Sequence, residues 1–338
     1  MTLQQDMFLG FHPLAYGKYP EDDPAATLRE VAQIVDEGGF DHLWLADHIR
    51  LASNMVEAAE GETKIDEPLE AWTTLTYLAG ATTRVRLGSE VTPVTLRHPA
   101  LFAKSLSTLD QLSGGRVTLG AGTGWFRKEF ESLGLPFEKR DERFAKAAEA
   151  LSIMQALWTQ PSVDFEGKHY QLQDAVIAPK PKQAGGIPIW FGGFSDKLFN
   201  LLLRFGSGWI LGTNASVDFV RERWERLREM AQERDVDVSR MPVVVPLFAY
   251  VSEDRQRAAD ALERYITLGN FDEWMGNFFG EEARKHALCG TPDDVLERLE
   301  PYLQLGVRGF IFKVRTQGIM KETAELLASK VVPKLLER

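Results

Sequence analysis

The sequence predicts an α/β fold, a (β/α)8 barrel with insertions formed by one domain over residues 1–338. Eight short apolar runs read as buried strands, and the stretches between them carry helical spacing. No low-complexity linker divides the 338 residues, and a barrel of ~250 residues plus insertions fits that length. The rival doubly wound sheet places its diagnostic glycine turn after strand one, where this chain has Gly10-Phe11-His12-Pro13. The glycines fall later, as Gly120-Ala121-Gly122-Thr123-Gly124-Trp125 after the fourth strand and Gly192-Gly193-Phe194-Ser195 after the fifth.

Taken in order, Phe8–Phe11 is the first strand, and Ala25–Gly38 a helix with apolar Leu28, Val31, Ile34 and Val35 on one face. Leu43–Ala46 is the second strand, ending at Asp47-His48. A polar stretch, Ser53–Asp66, precedes a helix at Leu69–Ala81. Val85–Val91 is the third strand, and Pro99 marks the first turn of the next helix. Arg116–Gly120 is the fourth strand, followed by a long helix at Asp141–Trp158. Val163–Gln171 alternates around a Glu-Gly turn and reads as an inserted hairpin. Ile187–Phe191 is strand five, with a helix at Lys197–Phe205; Gly208–Leu211 is strand six, with a helix at Val217–Gln232. Pro242–Val251 and Val307–Val314 are strands seven and eight, and Met320–Leu336 is a closing helix.

Composition narrows the function class. A formal net charge of -10, with no basic face, argues against a nucleic-acid partner. The single Cys289 excludes an internal disulfide framework and a cysteine metal cluster. No pair of histidines or carboxylates has metal-ligand spacing, so no metal is expected. Met1–Met7 is polar, without a signal core, and no window approaches ~18 apolar residues. The expectation is a cytoplasmic protein without a membrane partner.

In a barrel of this type the active site lies at the carboxyl ends of the strands. That rule nominates His12, Asp47, His48, Glu90, Thr92, Thr123, Trp125, Ser195 and Thr213. His48 is the leading catalytic residue, because an imidazole gives or takes a proton near neutrality. The structural alternative has Asp47-His48 capping the loop that follows. His12 reads as pocket lining or as a rigid residue before Pro13, and His98 as structural at its helix start; His42, His169 and His286 carry no special signal. Glu90, a carboxylate among Leu87, Val91 and Val94, must face the mouth or a partner such as Arg97. Glycines past a strand let the backbone approach a ligand, and a helix start at Ser195 offers free N–H groups. Together the two glycine stretches point to a phosphorylated cofactor. Phe271, Trp274, Phe278 and Phe279 recur between strands seven and eight, and read equally as core or as the wall of a substrate pocket.

The segment from Ala79 to Gly134 contains the phrases "ATTRVRLG", "HPALFAKSLSTLDQLSGGRVTLGAGTGWFRKEF" and, later, "PIWFGGFS". With these the sequence resembles the bacterial luciferase-like superfamily of flavin- and deazaflavin-dependent oxidoreductases, over Phe8–Gly212 and again over Gly290–Val314. The resemblance implies a cofactor ring in the barrel mouth and a non-prolyl cis peptide beneath it at Glu90–Val91, where many relatives have Gly or Ser before the Val. It implies cofactor contacts at Asp47, Ser89, Glu90, Val91, Thr123, Gly124, Trp125, Gly192, Gly193, Phe194 and Ser195. Members using the deazaflavin coenzyme F-420 often carry an Asp-His pair at the end of strand two, matched here by Asp47-His48. Sugar-phosphate dehydrogenases of the family have an acidic residue at the position of Trp125, which argues against a sugar phosphate.

The resulting expectation is hydride transfer between F-420 and a small apolar or aromatic substrate, with His48 handling the proton and His12, Phe271, Trp274 and Phe278 lining the pocket. The alternative is an FMN-dependent monooxygenase supplied by a partner reductase. A flavin-binding protein without turnover is the non-enzyme reading, against which the intact His48 argues. The resemblance also implies a homodimer.

Overall fold

Each of the eight apolar runs forms a strand in the computed structural model, which describes residues 6–13, 23–49, 69–268 and 277–338. The barrel strands are β1 (Phe8–His12), β2 (His42–Leu45), β3 (Arg86–Ser89), β4 (Val117–Gly122), β5 (Ile189–Gly192), β6 (Gly208–Ile210), β7 (Val243–Val251) and β8 (Gly309–Lys313). Each pairs in parallel with its sequence neighbour, from β1–β2 through β6–β7. Pairing of β8 with both β7 and β1 closes the ring. The fold is the expected (β/α)8 barrel.

Closure has a physical cause. Parallel strands expose apolar side chains on both faces, so one face must be filled by the barrel and the other covered by helices. The lumen is filled by Trp44, Trp190, Ile210, Val244 and Ile311, with Phe8 and Val91 against them. The His42 ring stacks on Trp44 at 4.9 Å within this plug. The sequence placed His42 in a loop; it is the first residue of β2 and is buried. Outside the ring, Leu9, Phe11, Leu43, Leu45, Leu87, Leu119, Phe191 and Phe312 pack beneath the helices in the main core.

The helices begin where the chain supplies caps. Asp23 accepts from Ala26 N–H at 2.9 Å to start Pro24–Glu37, and Ser195 and Ser216 cap Asp196–Phe205 and Val217–Gln232. Pro99 opens Pro99–Ser113, with His98 at the cap position. The hairpin runs slightly longer than expected, pairing Val163–Glu166 with Gln171–Ala175.

Other elements depart from the sequence reading. The expected single helix Met320–Leu336 is Gln317–Leu326, a π turn at Leu327–Val331, and Val332–Leu336. Pro333 lacks an N–H and its ring crowds the preceding turn, which disfavours an uninterrupted α-ladder. A short helix, Arg127–Ser132, follows β4. Between β7 and β8 lie helices Arg255–Leu268, Asn277–His286 and Pro292–Leu305 and a short strand, Leu288–Gly290, paired with the end of β7. No described helix is long and apolar enough to cross a membrane.

Candidate active site

The carboxyl ends of the strands meet over a polar floor. His12 ends β1 and Lys313 ends β8, and the two are partners in register. Lys313 Nζ donates to Glu90 Oε1 at 2.7 Å and to Thr213 Oγ1 at 2.9 Å. Glu90 follows β3 and Thr213 follows β6, on nearly opposite sides of the ring, so the ammonium lies across the lumen. His12 completes the group: Nδ1 faces Glu90 Oε2 at 2.6 Å, while Nε2 accepts from Ala46 N–H at 3.0 Å. An acceptor at Nε2 requires the proton on Nδ1, which makes His12 the donor to Glu90.

Burial dominates the electrostatics of this floor. It pushes His12 down to about 3, helped by the Arg315 charge, so the ring is neutral at pH 7. It also lowers Lys313, to about 8, against the attraction of Glu90. For Glu90 burial acts upward, but the Lys313 charge and the hydrogen bond from His12 outweigh it, leaving the carboxyl at about 2. Sequence proximity suggested Arg97 as the partner of Glu90. The partner is Lys313, 223 residues away, because Arg97 is taken by other carboxylates.

Those carboxylates form the wall beside β2. Asp47 is fully buried and receives both arms of Arg97, at 2.7 and 2.8 Å. Trp72 Nε1–H and Thr92 Oγ1–H also donate to Asp47 Oδ2, at 3.1 and 2.7 Å, and Thr92 lies 2.9 Å from Ser89 Oγ. Arg97 reaches Glu70 Oε1 at 2.5 Å as well. Asp47 and Ser89 thus sit in a saturated network within the wall.

His48 has a different partner from its sequence neighbour. Its Nδ1 lies 3.3 and 3.4 Å from the two oxygens of Glu129, whose Oε1 also accepts from Ile49 N–H at 2.8 Å. Glu129 comes from the short helix after β4 and is 1% exposed. Trp125 stands edge-on to the His48 ring at 5.9 Å and is 54% exposed, as an aromatic wall would be. Glu129 was visible in the sequence as the Glu of the "EF" phrase, but nothing local tied it to His48. Lys313 had a signal that went unused, a lysine closing the apolar run Phe310–Phe312 at a strand end.

The glycine stretches serve two purposes. The Glu90–Val91 peptide is cis, and Val91 projects among the glycines of the neighbouring strands. A Cβ on Gly192 would lie 2.5 Å from Val91 Cγ1, one on Gly122 2.8 Å from Val91 Cγ2, and one on Gly120 would collide with Ser89 O. These bare positions admit the bulge to the mouth and leave a shallow apolar shelf. Past the shelf, Gly193 at φ +127 spends its N–H on Ile210 O at 3.0 Å, while Trp209 Nε1–H holds Gly193 O at 2.6 Å. In that stretch Ser195 caps the helix start, its Oγ accepting from Leu198 N–H at 3.3 Å. Asp196 there binds Arg223 and Arg226, and Arg226 also pairs with Glu229, so the charges beside the helix start are matched. Thr123 and Gly124 are half-buried, and Phe194 is exposed beside Phe219.

Of the expected pocket-lining residues, His12 is buried in the floor. Phe271 and Trp274 lie outside the described residues. Phe278 belongs to Asn277–His286, but its side chain is outside the description too. Among the described residues, no three His, Cys, Asp or Glu side chains are grouped to hold a metal ion.

The fold and site together describe a parallel eight-strand barrel with a partly exposed histidine at its mouth. The family model for luciferase-like monooxygenases matches residues 4–309, and the chain belongs to that family. A relative from Beutenbergia cavernae, an F-420-dependent glucose-6-phosphate dehydrogenase, is 27% identical with 98% of each chain covered. An FMNH2-dependent dimethylsulfone monooxygenase from Pseudomonas putida is 28% identical over 78% of this chain and 68% of its own length. Among solved structures, an F-420-dependent secondary alcohol dehydrogenase bound to an F-420–acetone adduct superposes with a TM-score of 0.81 at 19% identity, covering 98% and 99% of the two chains. These relatives are oxidoreductases and monooxygenases, and they support an enzyme of the same family here.

Proposed function

We propose that this protein transfers a hydride between coenzyme F-420 and a small, uncharged, apolar or aromatic substrate. The observation that carries the reading is His48 at the barrel mouth, partly exposed, with its Nδ1 turned to a buried carboxylate and Trp125 against its edge. F-420-dependent enzymes recur among the relatives, which supports the choice of cofactor. Trp125 in the wall favours apolar surface in the substrate over phosphate.

The residues present suit a ring with a phosphorylated tail. Val91, Gly122 and Gly192 would lie under the ring, and Thr123–Gly124 with the helix start after Phe194 would hold the phosphate. When bound, the deazaflavin supplies hydride chemistry and no oxygen activation. A hydride reduction consumes one proton as well, and a hydride abstraction releases one. His48 exchanges that proton at Nε2, since Nδ1 is engaged by Glu129. Within the floor Lys313 and Glu90 form an ion pair beside neutral His12, which gives the mouth a fixed dipole.

Titration of the purified protein with F-420 and with FMN tests the reading. Tighter binding of F-420, with substrate-dependent bleaching or return of its absorbance, is the expected result. Tight binding of FMN alone, with oxygen-dependent product in the presence of a flavin reductase, would replace it with a two-component monooxygenase. The Pseudomonas putida relative supports that second reading, because its match covers 78% of this chain.

A further inference from the structure

We infer that Glu129 is a positioning residue that fixes the tautomer and ring plane of His48, leaving Nε2 as the atom that exchanges the proton. The inference rests on the proposed role of His48 and names the residue through which that role is set.

With Glu129 ionised, the geometry favours one arrangement of protons. Glu129 is almost fully buried, and a buried carboxylate needs donors. One is the Ile49 N–H, 2.8 Å from Oε1. The His48 Nδ1 lies almost equidistant from both oxygens, at 3.3 and 3.4 Å. An unprotonated Nδ1 would aim its lone pair at two anionic oxygens, whereas an N–H there shares its proton with both. The neutral ring is therefore the Nδ1–H tautomer, and Nε2 carries the free lone pair. Trp125, edge-on at an interplanar angle of 84°, restricts rotation of the ring about its bond to the backbone.

The arrangement also ties two loops together. Ile49 and His48 follow β2, and Glu129 stands on the helix after β4, so the carboxylate spans the end of β3 that carries the Glu90–Val91 bulge. One side chain thereby sets the imidazole relative to the shelf. The neighbouring Asp47 cannot do this, since its oxygens are occupied by Arg97, Trp72 and Thr92.

Two-bond 1H–15N correlation of the histidine rings in the cofactor-free protein tests the inference, at about pH 9, well above the ordinary histidine value of ~6.5. The signal lost in His48→Gln assigns the residue. Pyrrole-type Nδ1 and pyridine-type Nε2 are expected in the native chain. In Glu129→Gln, which retains an acceptor for Ile49, the His48 signal should move toward the opposite tautomer or an average of the two. An Nε2–H form in the native protein, or a pattern unchanged in Glu129→Gln, overturns the inference. A thermal melt confirms that the variant is folded; if it is not, Glu129→Met, of similar volume and without an acceptor for Nδ1–H, replaces it with loss of the fixed Nδ1–H pattern expected.

In the turnover assay, Glu129→Gln should lower kcat about 10-fold or more with cofactor Kd unchanged. A native rate in the presence of a changed tautomer would remove positioning from the reaction. If His48→Gln itself turns over normally while the NMR pattern is as expected, the proton-transfer reading fails and the assignment of the tautomer stands.

Discussion

At the scale of single residues, the floor and the mouth make separable predictions. His48→Gln keeps a polar side chain of similar reach but cannot cycle a proton, so kcat should fall about 10²-fold or more while cofactor affinity holds. Parallel losses in both would mark His48 as a residue that seats the ring. Lys313 is a matter of stability first. Its ammonium and the Glu90 carboxylate are 7% and 8% exposed, and removing one strands the other. Lys313→Met should cost about 3–5 kcal/mol in urea unfolding, and Lys313→Met with Glu90→Gln should recover most of it. Additive losses in the double variant would show that the two charges are not coupled.

At the scale of elements, the bulge after β3 and the glycines of β4 and β5 form one steric unit. A methyl on Gly192 would meet Val91 at 2.5 Å, within a strand that has little freedom to move. Gly192→Ala should destabilise the fold by about 1–3 kcal/mol and weaken cofactor binding, because the shelf is overfilled. Val91→Ala removes the colliding methyls and should restore much of the stability in the double variant. Recovery absent in chemical denaturation would locate the strain elsewhere. The same unit explains the sequence reading of these glycines. Their position after strands was legible, but a glycine that admits a ligand and one that admits a neighbouring valine look alike in sequence.

At the scale of the whole molecule, acid should undo the barrel from within. His12 and His42 are buried and neutral, each pushed down to about 3, His12 chiefly by burial and Arg315 and His42 by burial and Arg86. Unfolded, both would bind protons near ~6.5. Between about 6.5 and 3 the unfolded chain thus binds more protons, and stability falls as pH falls, by roughly 1.4 kcal/mol per pH unit for each histidine. Glu90, at about 2 against 4.5, adds a loss of the same sign below its unfolded value. Unfolding free energies at pH 6.5 and 5 should differ by about 3 kcal/mol from the two histidines together, since at pH 6.5 the unfolded rings are only half protonated, and by half of that in His42→Gln. A flat profile between those values would mean that both rings take up protons in the fold, and half the expected slope that one of them does.

The order of the barrel strands was set by features each strand carries alone. Apolar strands of three to nine residues, separated by amphipathic stretches, have one economical way to bury both faces, and that way closes the ring. Strand ends then nominated His48, Glu90 and the glycines without any knowledge of their neighbours. Partners were another matter. Glu90 finds Lys313 across 223 residues, His48 finds Glu129 across 81, and Asp47 finds Arg97 across 50. Nothing near any of these residues distinguishes the true partner from other opposite charges close in sequence, such as Arg97 for Glu90. Adjacency misleads at the mouth of a barrel for a geometric reason: consecutive loops diverge around the ring, and charges from distant loops are pressed together over a lumen too narrow to leave them unpaired.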